Sequence, residues 1–484
     1  MQPDCHRRRI LTGIAGATAA YVVSPIWQAH AKSGLVEQIA ARVKILAEGG
    51  GKSLRILIPN GCADNLAPVI SQFASHTGVT VQIVESPVDD INTQLLLDTM
   101  QGVSNYDLAL PATFGLPDLV SSNALLSLTD YAKRFEPAGY REGILYSVGD
   151  SFDDELFGFQ TDGDAYVMFY NKRLLQSSEE QERYVDQFGR ALDIPDTWQE
   201  LDRQMAFFNR PDEGLYGGLL FRTPGYLAWE WWVRFHAKGY WPLSDSLVPQ
   251  IDSPAGVAAL EEMIDATTHL APDVATLGLF DNWERFSRGD VFCNIGWGGT
   301  QKYLNGPNSG MKDQLLYGPT PGGYVDGELL LTPYFNWGWN YVVTINSKVP
   351  ELAYLFALFA STPSMSTASV REPDGFFDPF RPEHYLDEGI RKTYSPEFLA
   401  VHESSMKSSI PDLYLAGQSQ YFGALTDGLQ KSLSGKQDAE SALKQVAVQW
   451  NLISRRVGKD LQITRWKNLK SKYPENVRSR LKDY

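Results

Sequence analysis

Apolar and polar positions alternate with two different periods along the chain, and the switches between them mark its elements. Leu54 to Ile58 is a short apolar run closed by Pro59-Asn60-Gly61, which predicts a strand and a turn. Helical spacing follows around Leu66 to Ala74, and a β-branched run from Val79 to Val84 predicts a second strand. Residues 88–101 return to helical spacing through Ile91 and Leu95, and Tyr106 to Leu110 predicts a third strand stopped by Pro111. Strand, helix, strand, helix, strand is a doubly wound α/β pattern. Such sheets bind ligands beyond the carboxyl ends of their strands, here Asn60–Asp64 and Pro111–Phe114.

The middle of the chain turns on the stretch from Phe157 to Leu174. A polar knot, Gln160-Thr161-Asp162-Gly163-Asp164, interrupts an apolar neighbourhood, and the aromatic run Tyr166 to Tyr170 follows as a strand. This predicts a crossover between two lobes, with the knot facing a cleft. Thr197-Trp198-Gln199-Glu200 predicts a reciprocal capping box at the start of a helix carrying Leu201, Met205 and Phe208. In the aromatic stretch Tyr226 to Trp241, the residues Trp229, Trp232 and Phe235 share a helical face and read as core, while Trp231 falls on another face. Ser253-Pro254 opens a helix with Pro at its first position. Val291 to Ile295 predicts a strand and Gly296 to Thr300 a turn after it. Asn340 to Ile345 predicts a strand, Pro350 a helix to Ala360, and Asp438 the cap of a late helix through Trp450.

With 484 residues, the chain is too long for one core of ~150 residues, so two or three domains are expected. The formal net charge of −15 makes nucleic acid and anionic lipid poor partners. Arg7-Arg8-Arg9-Ile10-Leu11, an apolar stretch to Trp27 and Ala29-His30-Ala31 together read as a cleaved twin-arginine signal over residues 1–31. The mature chain is then expected to be periplasmic, without membrane insertion, and monomeric. Cys62 and Cys293 remain, 231 residues apart on opposite expected lobes. A bridge between them would lock the cleft, so two free, buried thiols are the preferred reading. Gly51-Lys52-Ser53 imitates the end of a phosphate loop but lacks its first glycine and precedes a strand, so it reads as a linker. The seven scattered histidines form no metal-ligand spacing, and no nucleophile-elbow motif occurs. No metal or cofactor is expected.

Several separated motifs then agree, in order, with one family. Gly158-Phe159-Gln160-Thr161-Asp162-Gly163-Asp164 leading to Phe169-Tyr170-Asn171-Lys172 resembles the crossover of family 1 extracellular solute-binding proteins, the carbohydrate-type receptors of ABC importers. Pro195 to Leu201 looks like their Pro-x-Thr-Trp-x-Glu-Leu motif. Phe286 to Thr300 is similar to their strand with a Gly/Trp/Pro turn, although Val291-Phe292-Cys293 departs from the usual small residues. Trp337-Gly338-Trp339 resembles the return strand, and Gly435 to Leu443 the late Gly/Ala-Leu motif. The resemblance covers most of residues 52–455. Arg371 to Tyr385 is richer in charge and aromatics than the corresponding stretch of the family.

The resemblance implies two α/β lobes, each a β-sheet flanked by helices, joined by a multi-crossing hinge in a periplasmic-binding-protein fold. Lobe one is expected at 52–160 plus 330–375, lobe two at 165–325 plus 380–455, and a surface helix or tail at 456–484. It implies a sugar or polyol captured in the cleft and delivered to ABC permease subunits. An exported hydrolase or redox enzyme using the same cleft is the alternative.

Sugars need aromatic faces for their C–H surfaces and planar polar groups for adjacent hydroxyls. Trp297 and Gly298, in the turn after a strand, head the candidates. Thr161, Asp162 and Asp164 either touch ligand or cap the turn at Gly163. Trp337 and Trp339 alternate along a strand, so only one should face the cleft. Asp64 and Asn65 either reach ligand or cap a helix. Thr113, Phe114, Arg222 and Thr223 complete the set. Arg371 and Arg381 either bind an acidic ligand or pair with Glu372, Asp374 and Asp378.

Overall fold

A computed structural model of the chain describes residues 25–50 and 53–484. The expected export signal lies outside the described residues up to position 24. Positions 25–31, including the Ala29-His30-Ala31 triplet, open a helix, Pro25–Glu48. No described helix is long and apolar enough to cross a membrane.

Two sheets organise the rest, one per lobe. In the first, Ser53–Pro59 lies between Thr80–Ser86 and Leu108–Ala109, parallel to both, with Ser53 opposite Thr80 and Pro59 opposite Ser86. Asn340–Val343 then pairs antiparallel with Leu108–Ala109 and with Gly158–Gln160. The helix Ala63–Thr77 buries Leu66, Val69 and Phe73 and ends at Gly78, whose φ of 73° suits a residue without Cβ. Pro350–Ala360 is helical as the sequence predicts. Its Phe356 and Phe359 meet Phe73 edge-on at 5.0 and 5.2 Å, joining early and late parts of the chain in one core.

The second sheet is built around Ala165–Asn171, buried along its whole length. Val291–Gly296 pairs with one side of it, and Leu315–Pro319 followed by Tyr334–Phe335 with the other. Tyr216–Leu219 and Ile410–Pro411 form the edges. The chain therefore passes from the first sheet to the second between Gln160 and Ala165, returns between Phe335 and Asn340, and passes over again between Val343 and Ile410. The first two crossings are hydrogen-bonded side by side: Thr161 gives both its N–H (3.0 Å) and its hydroxyl (2.8 Å) to the Trp339 carbonyl.

Several local readings change. Thr197 does accept from the Glu200 N–H at 3.2 Å, but the capping box is not reciprocal. The Glu200 carboxylate is taken by Tyr184, Arg190 and Arg203 instead. The turn expected at Gly296 to Thr300 is the start of a helix, Gly298–Leu304. The helix Pro224–His236 is enclosed all round from Leu227 onward, its charged Glu230 and Arg234 included, so Trp231 is as buried as Trp232. Its indole N–H donates to the Gly256 carbonyl and that of Trp232 to Pro411. Of the surface helix or tail expected last, the helix is present, Lys459–Lys472, and its inner face is packed. Trp466, Tyr473 and Val477 are buried, and Trp466 packs edge-on against Trp241 at 5.7 Å. Cys62 and Cys293 are free and buried, and burial pushes both thiols well above their ordinary range.

Candidate functional site

Between the lobes lies a cavity of about 460 Å³. Its floor on the first lobe comes from the residues after two parallel strands: Pro59, Asn60 and Cys62, then Pro87 to Asp89. Asp164, Trp337 and Trp339 come from the crossings, while Tyr226, Trp283 and Trp297 come from the second lobe. A second hollow of about 480 Å³ adjoins it and shares Phe280, Trp283, Gly299 and Phe376.

Trp297 is set by its backbone. Strand Val291–Gly296 ends against Thr300, where a Cβ on Gly296 would stand 2.3 Å from the hydroxyl. Trp297 then caps the next helix, and its indole N–H donates to Asn336 at 2.9 Å. Its ring lies 5.5 Å from Trp337 at 89° and 5.0 Å from Tyr166. Trp337 and Trp339 both line the cavity, contrary to strand alternation. Gly338 between them has a φ of 66°, so the segment is not extended and both indoles reach the same side. The indole N–H groups of Trp337 and Trp283 are buried at this wall without a hydrogen-bond partner.

The polar knot divides. Asp164 lines the cavity and accepts the Gly338 N–H at 3.0 Å. Asp162 does not line it. One of its oxygens accepts from Gly163 at 2.7 Å and from Asp378 N–H at 2.6 Å. Asp378 in turn accepts from Gly298 N–H at 2.6 Å and the Tyr394 hydroxyl at 2.7 Å. The three buried carboxylates each bring an oxygen within 4.8 Å of the others, a spacing that could gather a cation. These N–H and O–H donors already occupy much of that capacity. The second oxygen of Asp162 meets no donor, unless Asp162 and Asp164 share a proton. Burial and the mutual repulsion of the carboxylates hold Asp162 and Asp164 well above the ordinary range, and burial lifts Asp378 to about 6.

This has a sign. A folded carboxyl with a raised pKa keeps a proton that the unfolded chain releases, so its stabilisation is whole below about 3.9 and is lost as pH rises through the folded value. His236 and His402, lowered by burial to about 4, act oppositely below about 6.5, and His384 is lowered as well. Lys302, lowered by burial to about 8, acts oppositely above that. The melting temperature should therefore fall as pH rises through the folded values of the carboxyl pair. Asp162→Asn should flatten that slope in thermal melts. An unchanged slope would remove the pair as its source.

The other candidates sit elsewhere. Gly298 has no room for a ligand at its Cα, since a Cβ would meet the Asp378 carboxylate at 2.3–2.5 Å. Thr161 is committed to Trp339, and Thr113 to Asn340 at 2.6 Å. Phe114 stands behind the wall, edge-on to Trp337 at 6.2 Å and Trp229 at 6.0 Å. Asp64 is exposed and away from the cavity. Asn65 neither caps its helix nor faces the cavity. It holds the 371–385 segment, donating to the Ser369 carbonyl at 2.8 Å and accepting the Phe376 N–H at 2.7 Å. Arg222 is withdrawn into a buried chain of charges, donating to Glu230 at 2.6 Å and Thr267 at 2.6 Å. Glu230 also accepts from Arg234 at 2.9 Å, and Arg234 grips Asp202 at 2.8 Å. Arg371 pairs with Asp387 instead of its near neighbours in sequence, and Arg381 donates to the Ser361 carbonyl at 2.8 Å. Thr223 lines the cavity. Wall residues not foreseen are Asp89, Phe280, Trp283, Tyr226 and Phe376. Tyr226 was visible in its aromatic stretch, but that stretch read as core.

A profile of bacterial extracellular solute-binding proteins matches residues 69–394, most of the two lobes. The chain belongs to this family. No curated relative matches the chain by sequence. Among solved structures, an ABC transporter solute-binding protein of Agrobacterium radiobacter K84 in complex with ribitol superposes with a TM-score of 0.70 at 18% identity, covering 82% of this chain and 98% of its own. Maltose-bound MalE3 of T. maritima gives 0.71 at 17% identity, with 83% and 99% covered. An ABC transporter solute-binding protein of Thermotoga lettingae TMO bound with α-D-tagatose gives 0.70 at 19% identity, with 84% and 100% covered. This solute-binding protein thus has the two-lobed fold of those structures, with its aromatic cavity between the lobes.

Proposed function

We propose that this protein captures a sugar or polyol in the interlobe cavity, outside the cytoplasmic membrane, and delivers it to the permease of an ABC importer. The N-terminal arginine motif serves as its export signal, and the mature protein acts as a monomer. The observation that carries this reading is an aromatic wall, Tyr226, Trp283, Trp297, Trp337 and Trp339, set around the Asp164 carboxyl. A hydroxyl group both accepts and donates, so it can pair with that carboxyl in either protonation state while the ring or chain lies against the aromatic wall. The cavity volume falls within the roughly 300–1,000 Å³ of small-molecule sites. The ribitol, maltose and α-D-tagatose of the superposable structures are of the same chemical class.

The test is a thermal-shift screen over sugars, polyols and oligosaccharides, followed by solution scattering with any ligand found. A binder at one hundred times its dissociation constant should stabilise the fold by about 2.7 kcal/mol, and domain closure should reduce the radius of gyration. Failure of every saccharide and polyol to raise the melting temperature, or chemical conversion of a bound sugar, would overturn the reading.

A further inference from the structure

The charged groups on the cavity wall are all of one sign. Asp164 and Asp89 line it, and among the described residues no lysine or arginine does. Directly behind Asp164 stand Asp162 and Asp378. Lys302 is the nearby cation, yet it is turned from the cavity. Its ammonium is spent on the carbonyls of Glu372 (3.0 Å), Gly375 (2.7 Å) and Phe377 (3.1 Å). It lines the adjoining hollow instead. One oxygen of Asp162 remains buried with no donor. Around this acidic patch the wall is indole, phenol and phenyl, whose faces are negative.

A carboxylated or phosphorylated sugar would bring a further acid to a wall on which no described lysine or arginine stands. An ammonium group fits both features at once, since it holds the Asp164 carboxyl ionised, releasing to solvent the proton that burial otherwise keeps there, and is attracted by aromatic faces. We infer that the solute is a cation, an aminated sugar or polyol whose ammonium sits between the Asp164 carboxylate and the surrounding indoles. This rests on the sugar or polyol reading of the cavity and narrows it to one charge class.

Matched sets separate the two. Titration calorimetry at neutral pH would compare each hexosamine with its N-acetyl derivative and its parent hexose, in the gluco, galacto and manno series, and D-glucamine with D-sorbitol. The expected result is at least one set in which the amine binds roughly tenfold or more tighter than both uncharged members. That advantage should be lost in Asp164→Asn and reduced in Asp89→Asn, with circular dichroism confirming the fold. Should Asp164→Asn not fold, Asp89→Asn, in the exposed turn after Thr80–Ser86, carries the comparison. Parent sugars or N-acetyl derivatives binding as tightly as the amines would overturn the charge inference and leave the sugar reading standing. An amine advantage untouched by either substitution would overturn it equally. If no member of any set binds, the charge inference falls, and the sugar reading falls with it only when the wider saccharide and polyol screen is silent too.

Discussion

Trp297→Ala is expected to weaken binding of the captured solute by roughly one hundredfold, read by titration calorimetry on protein shown to be folded. The ring is only 4% exposed, enclosed by Tyr166, Trp229 and Trp337, so it shapes the cavity wall rather than offering a free stacking face. Truncating a buried aromatic anchor at a binding site costs about 2–3 kcal/mol of binding, reorganisation of the free protein included, or about 30- to 150-fold in affinity. The hole left behind also lowers stability. Trp297→Phe separates the contributions. It keeps an aromatic face but removes the N–H that Asn336 accepts at 2.9 Å, and should cost far less affinity. Affinity unchanged in Trp297→Ala would take the ring out of recognition altogether.

The second large effect is on stability alone. Glu230 is buried between two arginines, Arg222 and Arg234, whose own side chains are almost wholly enclosed. Burial alone would raise its pKa, yet the two guanidinium groups hold it below the ordinary range. Glu230→Ala leaves those charges facing each other, with Asp202 and the more distant Glu262 to balance Arg234 and no acid for Arg222. Removing one member of such a buried array costs about 3–5 kcal/mol, which urea unfolding would register as a large drop in midpoint. Replacing Arg222, Glu230 and Arg234 together by apolar residues should cost much less than Glu230→Ala. A Glu230→Ala variant within about 0.5 kcal/mol of wild type would mean that water reaches the network.

The fold was legible wherever local signals agreed with tertiary ones. Pro350–Ala360 is an example, with proline in its first turn and an unbroken apolar run behind it. The first three strands were legible for the same reason, each bounded by its own turn residues. Tyr334–Phe335 was not, because a two-residue strand has no period. Its place is fixed by pairing with Tyr166 and Ala165, far away in sequence. Glu200 shows a local rule overridden, since its carboxylate had better partners in Tyr184 and two arginines than the backbone N–H it was expected to cap.

The site was legible in its aromatic elements and not in its charges. Trp297 stood out between a strand and a pair of glycines. Trp337 and Trp339 stood out too, but the period-two rule assumed an extended backbone that Gly338 denies. Arg222 was misread because its partner Glu230 lies two helical turns on, inside a helix that looked purely aromatic. Phe376 reaches the cavity only because Asn65 and Lys302 hold its segment from opposite lobes, a relation no local pattern carries.

The order of strands in the first sheet has a consequence for how the chain is made. Its first three strands are complete by Ala109, yet its last partner, Asn340–Val343, leaves the ribosome more than two hundred residues later. Until then Leu108–Ala109 exposes a bare edge, and Phe73 lacks the Phe356 and Phe359 against which it packs. The first lobe to be synthesised cannot be the first to finish. Folding must therefore wait for the late return of the chain, a non-local closure of the kind that slows folding and prolongs exposure of sticky intermediates.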